Sequence, residues 1–522
     1  TPFYAEHVRQ AVSERLGEDA LLSGGLRIET AVELPAQAMA DRAVDNALRE
    51  IDERQGFRGP VTHLARPEKQ AEFLKRTTAE YGSDPLVADV CVPAAPDERI
   101  ELDCPNEEGA MCNPAAQPMP SAPDCQPRWR LALVERTNKY NAWVKVGGTE
   151  AILPLRQMAW AARYDRNTGV NDKRIDDVRD ALEAGDVVWV RRAPPQKRPQ
   201  NGNEDVTLPE VELGQVPRVE AVIYSFDHQT GYVQAMQGGH DYDRSQFNRA
   251  IQGCRQPGSV FKAIYYSLAL DTRDFTMGTV LEDRAYVPDP GEEWNPQNLH
   301  GSLSGEVLLR NSFIHSLNLP SIRLFNRLGA EKVVTWARRL GFTTELIADK
   351  ALSLGASCVR TDELSRAFGV FVREGKWLEP IYVRRVVDKN GVVLVDDRHP
   401  WDDAMEVGGR IDAMARQGLH PPKQIVDIGT AFLTAKMMRD VVTNGIAKTA
   451  SKAGVPAGGK SGTASKGRWT TDTWFVGFTS RYVTAAWVGD DTYERSLGDE
   501  DASYTTATPM WTDFMRRMAA GI

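Results

Sequence analysis

Residues 255–262 read Arg-Gln-Pro-Gly-Ser-Val-Phe-Lys, and an apolar run over 263–270 follows them directly. The proline and glycine end an extended segment, and the apolar run predicts a helix. Ser259 is therefore expected at a helix N-terminus, where its backbone N–H can stabilise a developing oxyanion. Lys262 lies three positions later on the same helical face, within reach of the serine hydroxyl.

Two further motifs complete the set of groups that acyl transfer needs. Ser316-Leu-Asn318 offers a hydroxyl and a carboxamide, and Lys460-Ser-Gly-Thr463 offers a cation with two hydroxyls. A nucleophile, a base and oxyanion donors are the parts of a covalent acyl-transfer site. Each motif alone is common in chains of this size, but their order and combination predict such a site.

Lys262 can act as a base only if its pKa is lowered, because a lysine that is protonated near neutral pH is a poor proton acceptor. Lys460 is the predicted second cation of the pocket. Two ammonium groups placed side by side disfavour each other's charge. We therefore expect one proton to be shared, or lost through Ser316.

The strand pattern of this region predicts one antiparallel sheet built from both ends of the segment. Residues 456–463 precede the β-branched and apolar runs 473–478 and 482–488, which turns separate. Upstream, 219–224 and 232–236 form a hairpin-like pair. A five-stranded sheet with helices between its two halves is the economical arrangement. Gly462 would let a substrate backbone approach the first strand closely.

The segment from about 216 to the C-terminus resembles the transpeptidase domain of penicillin-binding proteins, which carries S-x-x-K, S-x-N and K-[ST]-G motifs in this order. Further matches are Asn-Arg-Ala-Ile at 248–251, Trp-Asn-Pro-Gln-Asn at 294–298 and Leu354-Gly355. The arrangement is similar to the bifunctional class A, 1A type. The resemblance implies an α+β multidomain chain whose transpeptidase domain has a five-stranded antiparallel sheet with helices on both sides.

The same resemblance implies a role for each motif residue. Ser259 would be the acylated nucleophile, Lys262 its general base and Ser316 a proton relay. The N–H groups of Ser259 and Thr463 would form the oxyanion hole. The residues expected to hold the substrate amide or its terminal carboxylate are Asn318, Lys460, Ser461 and Thr463.

The implied activity is D,D-transpeptidation of peptidoglycan stem peptides through a serine acyl-enzyme, with β-lactams as covalent inhibitors. No cofactor or metal is expected, because protein groups supply every function of the reaction. A D,D-carboxypeptidase and a β-lactam-binding sensor or scaffold stay open as alternatives. A serine β-lactamase is disfavoured because no E-x-x-L-N element follows Ser316.

Composition and length bound the remaining possibilities. The chain has 522 residues, enough for two or three domains, and a net charge of −9, which argues against nucleic acid as a partner. No apolar run reaches the roughly 18 residues of a membrane span. The first residues resemble the stretch after the glycosyltransferase domain of the bifunctional class. We therefore expect that domain and an N-terminal anchor to be missing here, and a location at the periplasmic face of the inner membrane.

The predicted domains are a linker region over 1–58, an OB-like insertion over 59–215 and a transpeptidase domain over 216–522. In the insertion, strand patterns at 129–135, 142–146, 150–155 and 186–192 predict a small barrel. Its position resembles the insertion of Gram-negative proteins of the 1A type. It has no basic stripe interleaved with aromatic residues, so we expect a spacer or a docking surface for a protein regulator.

Four cysteines of the insertion, Cys91, Cys104, Cys112 and Cys125, predict two disulfides and an oxidising compartment. They contain no C-x-x-C pair, which disfavours zinc. Three pairings are possible, and short loops make 91 with 104 and 112 with 125 plausible. Cys254 and Cys358 are predicted to be small buried residues.

Overall fold

The computed structural model describes residues 2–86, 88–92, 124–163, 173–194, 208–288, 290–291, 294–299, 301–403, 407–419, 421–467, 469–498 and 501–520. The α-helices are α1 (Pro2–Leu16), α2 (Glu18–Ser23), α3 (Leu34–Gln55), α4 (Pro67–Tyr81), α5 (Lys262–Asp271), α6 (Leu309–Ile314), α7 (Asn318–Leu328), α8 (Ala330–Arg339), α9 (Thr361–Val372), α10 (Val407–Leu419), α11 (Ile428–Thr443) and α12 (Ala507–Ala520).

The strands within residues 1–219 are β1 (Arg27–Thr30), β2 (Thr62–His63), β3 (Ala88–Val92), β4 (Asp124–Pro127), β5 (Arg130–Thr137), β6 (Asn141–Val146), β7 (Thr149–Pro154), β8 (Asp186–Arg192) and β9 (Val211–Gly214). Those that follow are β10 (Glu220–Asp227), β11 (Val233–Gln237), β12 (Cys254–Arg255), β13 (Val280–Asp283), β14 (Gly305–Leu308), β15 (Val359–Arg360), β16 (Val383–Val387), β17 (Val393–Asp396), β18 (Gly458–Lys466), β19 (Trp469–Phe478) and β20 (Tyr482–Gly489).

Two compact units make up the chain. The larger unit consists of Thr1–Ala47, Glu220–Arg495 and Asp501–Ile522, and the smaller unit of Leu48–Val219 and Ser496–Glu500. Much of the predicted linker region therefore packs within the larger unit. There β1 pairs with β16, and the hydroxyl of Tyr4 in α1 donates a hydrogen bond to the carbonyl of Val233 at 2.7 Å.

The larger unit is built on the predicted five-stranded antiparallel sheet, in the order β11-β10-β20-β19-β18. Side chains alternate between the two faces of a strand. On one face, Phe475 of β19 stacks edge-on against Trp511 of α12. On the other face, Phe226 of β10 lies against Gly369 of α9. The prediction of a sheet from both ends of the segment, with helices on both sides, is confirmed.

The smaller unit is an antiparallel β-structure in the order β2-β8-β5-β6-β7, with β9 also paired to β8. The backbone N–H of Ile152 in β7 donates to the carbonyl of Pro209, just before β9, at 3.0 Å. This contact closes the strands into a ring around an apolar core that includes Val134, Val144 and Val188. The four predicted strands correspond to β5, β6, β7 and β8.

The prediction for Cys254 and Cys358 is wrong. The two residues form a disulfide whose Cα atoms lie 5.2 Å apart and whose members are 104 residues apart in sequence. Cys254 is exposed rather than buried. The pair lies where β12 and β15 run antiparallel, a long-range pairing that the local sequence does not encode.

The insertion cysteines can be followed only in part. The backbone of Cys91 in β3 pairs with that of Cys125 in β4. Cys104 and Cys112 lie outside the described residues. The three possible disulfide pairings of this set stay predictions.

Across the described ranges, no helix is both long and apolar enough to cross a lipid bilayer.

Candidate active site

Ser259 lies in a 3₁₀ turn, Gly258–Phe261, and α5 begins at Lys262 directly after it. Gly258 has a φ of 53°, a conformation that L side chains rarely adopt. A Cβ at this position would also lie 2.4 Å from the carbonyl oxygen of Thr463. Glycine is therefore required here both by the backbone conformation and by the lack of space for a side chain. Because Gly258 has no side chain, the turn that carries Ser259 can pack against the backbone of β18.

β18 is the edge strand of the central sheet, and its residues 460–463 are the third motif. A Cβ at Gly462 would lie 2.3 Å from the carbonyl oxygen of Pro257 and 3.0 Å from the backbone nitrogen of Val260. Close packing against the turn that carries Ser259 therefore requires glycine at position 462. The sequence had indicated only an approach by a substrate backbone.

The turn between α6 and α7 carries the second motif. Ser316 has a φ of 56°, in the left-handed region where a non-glycine residue is strained. Such strain persists where the surrounding structure holds it and is common at functional sites. The hydroxyl of Ser316 accepts a hydrogen bond from the Lys460 ammonium at 2.8 Å, which joins the second and third motifs.

Lys262 joins the first motif to the second. Its Nζ donates to the carbonyl of Ser316 at 2.8 Å, to the carbonyl of Leu317 at 3.2 Å and to Oδ1 of Asn318 at 2.8 Å. Both Lys262 and Lys460 are fully buried. The three separate stretches therefore meet at two buried amines.

The surroundings of Lys262 and Lys460 disfavour the state in which both amines are protonated. Burial, together with the charge of Lys460, lowers the pKa of Lys262 well below its ordinary value. Burial alone lowers the pKa of Lys460 to about 7. The three oxygens around Lys262 act in the opposite direction, because each accepts from the charged form. We therefore expect the pair of amines to lose a proton near neutral pH.

Among the residues that the structure describes, the amine of Lys262 bonds only to oxygens of the 316–318 turn, and no hydrogen bond joins it to the half-buried Ser259. A base must point a lone pair at the proton it takes, and such contacts often form only when substrate binds. Before Lys262 can take the proton of Ser259, its amine must therefore replace one of its three present hydrogen bonds by one to the Ser259 hydroxyl.

The remaining predicted residues surround this centre. Strand alternation places Ser461 and Thr463 on the same face of β18, opposite to Lys460. Ser461 is buried, and the Thr463 hydroxyl accepts a hydrogen bond from the N–H of Ser503 at 3.4 Å. The Nδ2 of Asn318 donates to the carbonyl of Gln297 at 2.8 Å.

Sequence reasoning missed the groups that hold the nucleophile turn. The indole N–H of Trp474 donates to the carbonyl of Gln256 at 2.8 Å. Arg255 is buried, pairs with Asp491 at 3.1 Å and lies 5.0 Å from the ring centre of Trp487. The available signal was Arg255-Gln256, which precedes the proline and glycine before the S-x-x-K motif.

A cavity of about 540 Å³ borders the 316–318 turn. His315 and Leu317 line it on the side of the turn, and Leu308, Val280 and Glu306 line it on the side of the β13–β14 hairpin. The wall consists of four apolar side chains together with one carboxylate, one imidazole, one hydroxyl and one carboxamide.

Comparison with known families agrees with this geometry. Residues 221–515 match the family model of the penicillin binding protein transpeptidase domain, and residues 101–219 match that of the penicillin-binding protein OB-like domain. The chain therefore belongs to the penicillin-binding proteins that carry a transpeptidase domain.

Within that family, the chain is similar over nearly its whole length to penicillin-binding proteins 1A. The protein of Neisseria meningitidis serogroup A is 29% identical over 525 residues, which cover 98% of this chain and 55% of the relative. That of Pseudomonas aeruginosa is 27% identical over 551 residues, covering 98% and 59%. The chain thus spans a little over half the length of these relatives.

A solved structure has the same fold. The crystal structure of penicillin-binding protein 1A from Haemophilus influenzae superposes with a TM-score of 0.73, at 24% identity, over 99% of this chain and 70% of that one. The predicted transpeptidase fold with an OB-like insertion is confirmed.

Proposed function

We propose that the chain is a serine D,D-transpeptidase that cross-links peptidoglycan stem peptides and that β-lactams acylate. The observation that carries the proposal is the meeting of the three motifs at two buried amines, with Lys460 bonded to Ser316 and Lys262 bonded to Asn318. This arrangement supplies a nucleophile, a base and a proton relay without any other group.

Acylation begins when the Ser259 hydroxyl attacks the carbonyl carbon of the penultimate D-Ala. Its proton passes to Lys262, and the backbone N–H groups of Ser259 and Thr463 stabilise the oxyanion. The bond to the terminal D-Ala then breaks. The leaving amine takes a proton through Ser316 and Lys460, and the donor stem stays bound to Ser259 as an ester.

In the second step, an amine of a neighbouring stem attacks the ester carbon. The attacking nitrogen returns a proton through Ser316 to Lys460, the Oγ–C bond breaks, and the Ser259 oxygen regains its proton from Lys262. Water in place of the amine would give a D,D-carboxypeptidase. The relative yield of cross-linked and hydrolysed product in the presence of an amine acceptor distinguishes the two.

Substrate recognition would use the edge of the sheet. Among the described residues, no strand pairs with the outer edge of β18, so its backbone can pair with an extended peptide. The hydroxyls of Ser461 and Thr463 would bind the terminal carboxylate, and the cation of Lys460, whose side chain lies on the opposite face of β18, would attract it electrostatically. Gly462 would keep this edge close to the nucleophile turn, and Asn318 would bind the donor amide.

The proposal assigns a separate role to each domain. In this proposal, residues 216–522 are the transpeptidase domain, 59–215 are the OB-like domain with a surface for a protein regulator, and 1–58 are a linker region. The protein acts at the periplasmic face of the inner membrane. The oxidising environment there suits the Cys254–Cys358 disulfide.

Mass spectrometry after incubation with benzylpenicillin tests the proposal. We expect a single covalent adduct of the intact ligand mass, and tryptic mapping should place it on the peptide that contains Ser259. A folded sample without an adduct, or an adduct on another peptide, contradicts the proposed function.

The rate of acylation should pass through a maximum near neutral pH. The neutral amine of Lys262 forms as the pH rises through its lowered pKa, so the rate first increases. The cation of Lys460, with a pKa of about 7, is lost at higher pH, and carboxylate binding weakens. Stopped-flow measurement of the second-order acylation rate from about pH 5 to about pH 10 checks this. A rate that keeps increasing towards pH 10 argues against the lowered pKa of Lys262 and against the need for a Lys460 cation.

A further inference from the structure

We propose that Asp283 and Asn298 form a positioning pair that holds the start of α7, and with it Asn318, in the geometry that acylation needs. The inference rests on the proposed function, in which Asn318 contacts the substrate. Neither member of the pair touches the reacting groups, so both act through Asn318 and the turn before it.

Asn298 uses its full hydrogen-bonding capacity. Its Oδ1 accepts from the backbone N–H of Asn318 at 2.9 Å and of Leu319 at 3.2 Å. Its Nδ2 donates to Oδ1 of Asp283 at 2.8 Å and to the carbonyl of Ser302 at 2.9 Å. A carboxamide has two donors and two acceptor sites. With all four engaged, this buried side chain has a single orientation.

Asp283 determines that orientation. It is fully buried at the end of β13, and its second oxygen accepts from the N–H of Ser304 at 2.8 Å. An ionised carboxylate only accepts hydrogen bonds. It therefore draws the NH₂ group of Asn298 towards itself and turns the amide oxygen towards α7.

The helix start needs this external acceptor. The first N–H groups of a helix have no partner within the helix, and Leu317, which precedes α7, has no side chain that could cap it. Asn298 supplies the cap from 20 residues upstream. Ser316 and Asn318 flank Leu317, so a shift of the helix start moves the hydroxyl and the amide of the second motif together.

Reciprocal substitution tests the pair. In Asn298→Asp, a carboxylate would face both the Asp283 carboxylate and the carbonyl of Ser302, and the three can only accept. In the double variant Asn298→Asp with Asp283→Asn, the new amide at 283 can donate to residue 298 and still accept from Ser304. The carboxylate at 298 would still accept from the N–H groups of α7, whose N-terminus favours a negative charge.

We expect Asn298→Ala and Asn298→Asp to reduce the second-order rate of acylation by benzylpenicillin about 100-fold, the effect of a displacement of roughly 1 Å in a catalytic group. The double variant should recover at least about tenfold over Asn298→Asp, because one contact is restored in reverse. Melting temperature is measured on each variant, so that the rates of folded protein are compared.

Ser225→Ala is the matched control. Ser225 shares a buried hydrogen bond with Thr484 at 2.8 Å within the central sheet, so its loss costs stability without touching the 316–318 turn. Its acylation rate should stay within about twofold of the wild type.

The outcomes separate the two proposals. If the wild-type chain is not acylated at Ser259, the proposed function fails, and this inference fails with it. If the wild type is acylated but both single variants at Asn298 keep its rate, the positioning role alone is wrong. If the double variant is acylated no faster than Asn298→Asp, the contact between the side chains at 283 and 298 is not the cause of the rate loss.

Discussion

Replacing Ser259 by alanine should abolish covalent labelling by benzylpenicillin. Alanine has no oxygen to attack the lactam carbonyl, and the other hydroxyl at the centre, that of Ser316, accepts a hydrogen bond from Lys460 and serves as a relay in the proposed mechanism. Loss of the nucleophile removes the whole covalent pathway rather than slowing it. Intact-mass spectrometry of Ser259→Ala after prolonged incubation measures this, with the wild type labelled in parallel.

Ser316→Ala is the matched serine variant for this experiment. It keeps the nucleophile and removes only the proposed relay, so labelling should be slowed by about 10² to 10⁴ but should still reach completion. An adduct that persists in Ser259→Ala would assign the nucleophile to another residue. Equal loss in both variants would point to a collapsed site, which the melting temperature of each variant reveals.

The second large effect is expected at Lys262. Lys262→Arg keeps a cation that can donate to the oxygens of the 316–318 turn, but a guanidinium does not lose its proton in proteins. If Lys262 takes the proton of Ser259, acylation by benzylpenicillin should fall by about 10³. Stopped-flow or fluorescent-penicillin kinetics measure the rate, and Lys262→Met, which also lacks a base, should show at least as large a loss.

Lys436→Met provides the control for lysine removal. Lys436 is partly exposed and pairs with Asp440 on α11 at 2.7 Å, so its loss should leave the acylation rate within about twofold of the wild type. Acylation by Lys262→Arg within about tenfold of the wild-type rate would mean that another group accepts the proton. The melting temperatures show whether the arginine fits the buried site.

The regular parts of the fold could be predicted from the sequence because their signals are local. β-branched runs separated by turns predicted β10, β11, β19 and β20, and the same pattern predicted four strands of the smaller unit. The start of α5 followed from a proline, a glycine and an apolar run. Each signal lies within about ten residues of the element that it predicts.

The failures share a physical cause. The Cys254–Cys358 disulfide joins residues 104 positions apart, and no local pattern indicates which distant strands pair. Asn298 stood in a motif of the family resemblance, but its contacts with Asp283 and Asn318 depend on how the chain returns over 15 and 20 residues. Gly462 was read as room for substrate, whereas its nearest neighbour is the turn before Ser259.

By itself, the sequence determined which chemical groups this protein has and in what order: a serine and a lysine one helical turn apart, a hydroxyl with an amide, and a cation on a strand rich in small residues. Only the tertiary structure decided that Lys460 bonds to Ser316, that Lys262 faces three oxygens, and that both amines are buried. Lowered lysine pKa values arise from burial and from the proximity of other charges, and both exist only once distant segments have packed together.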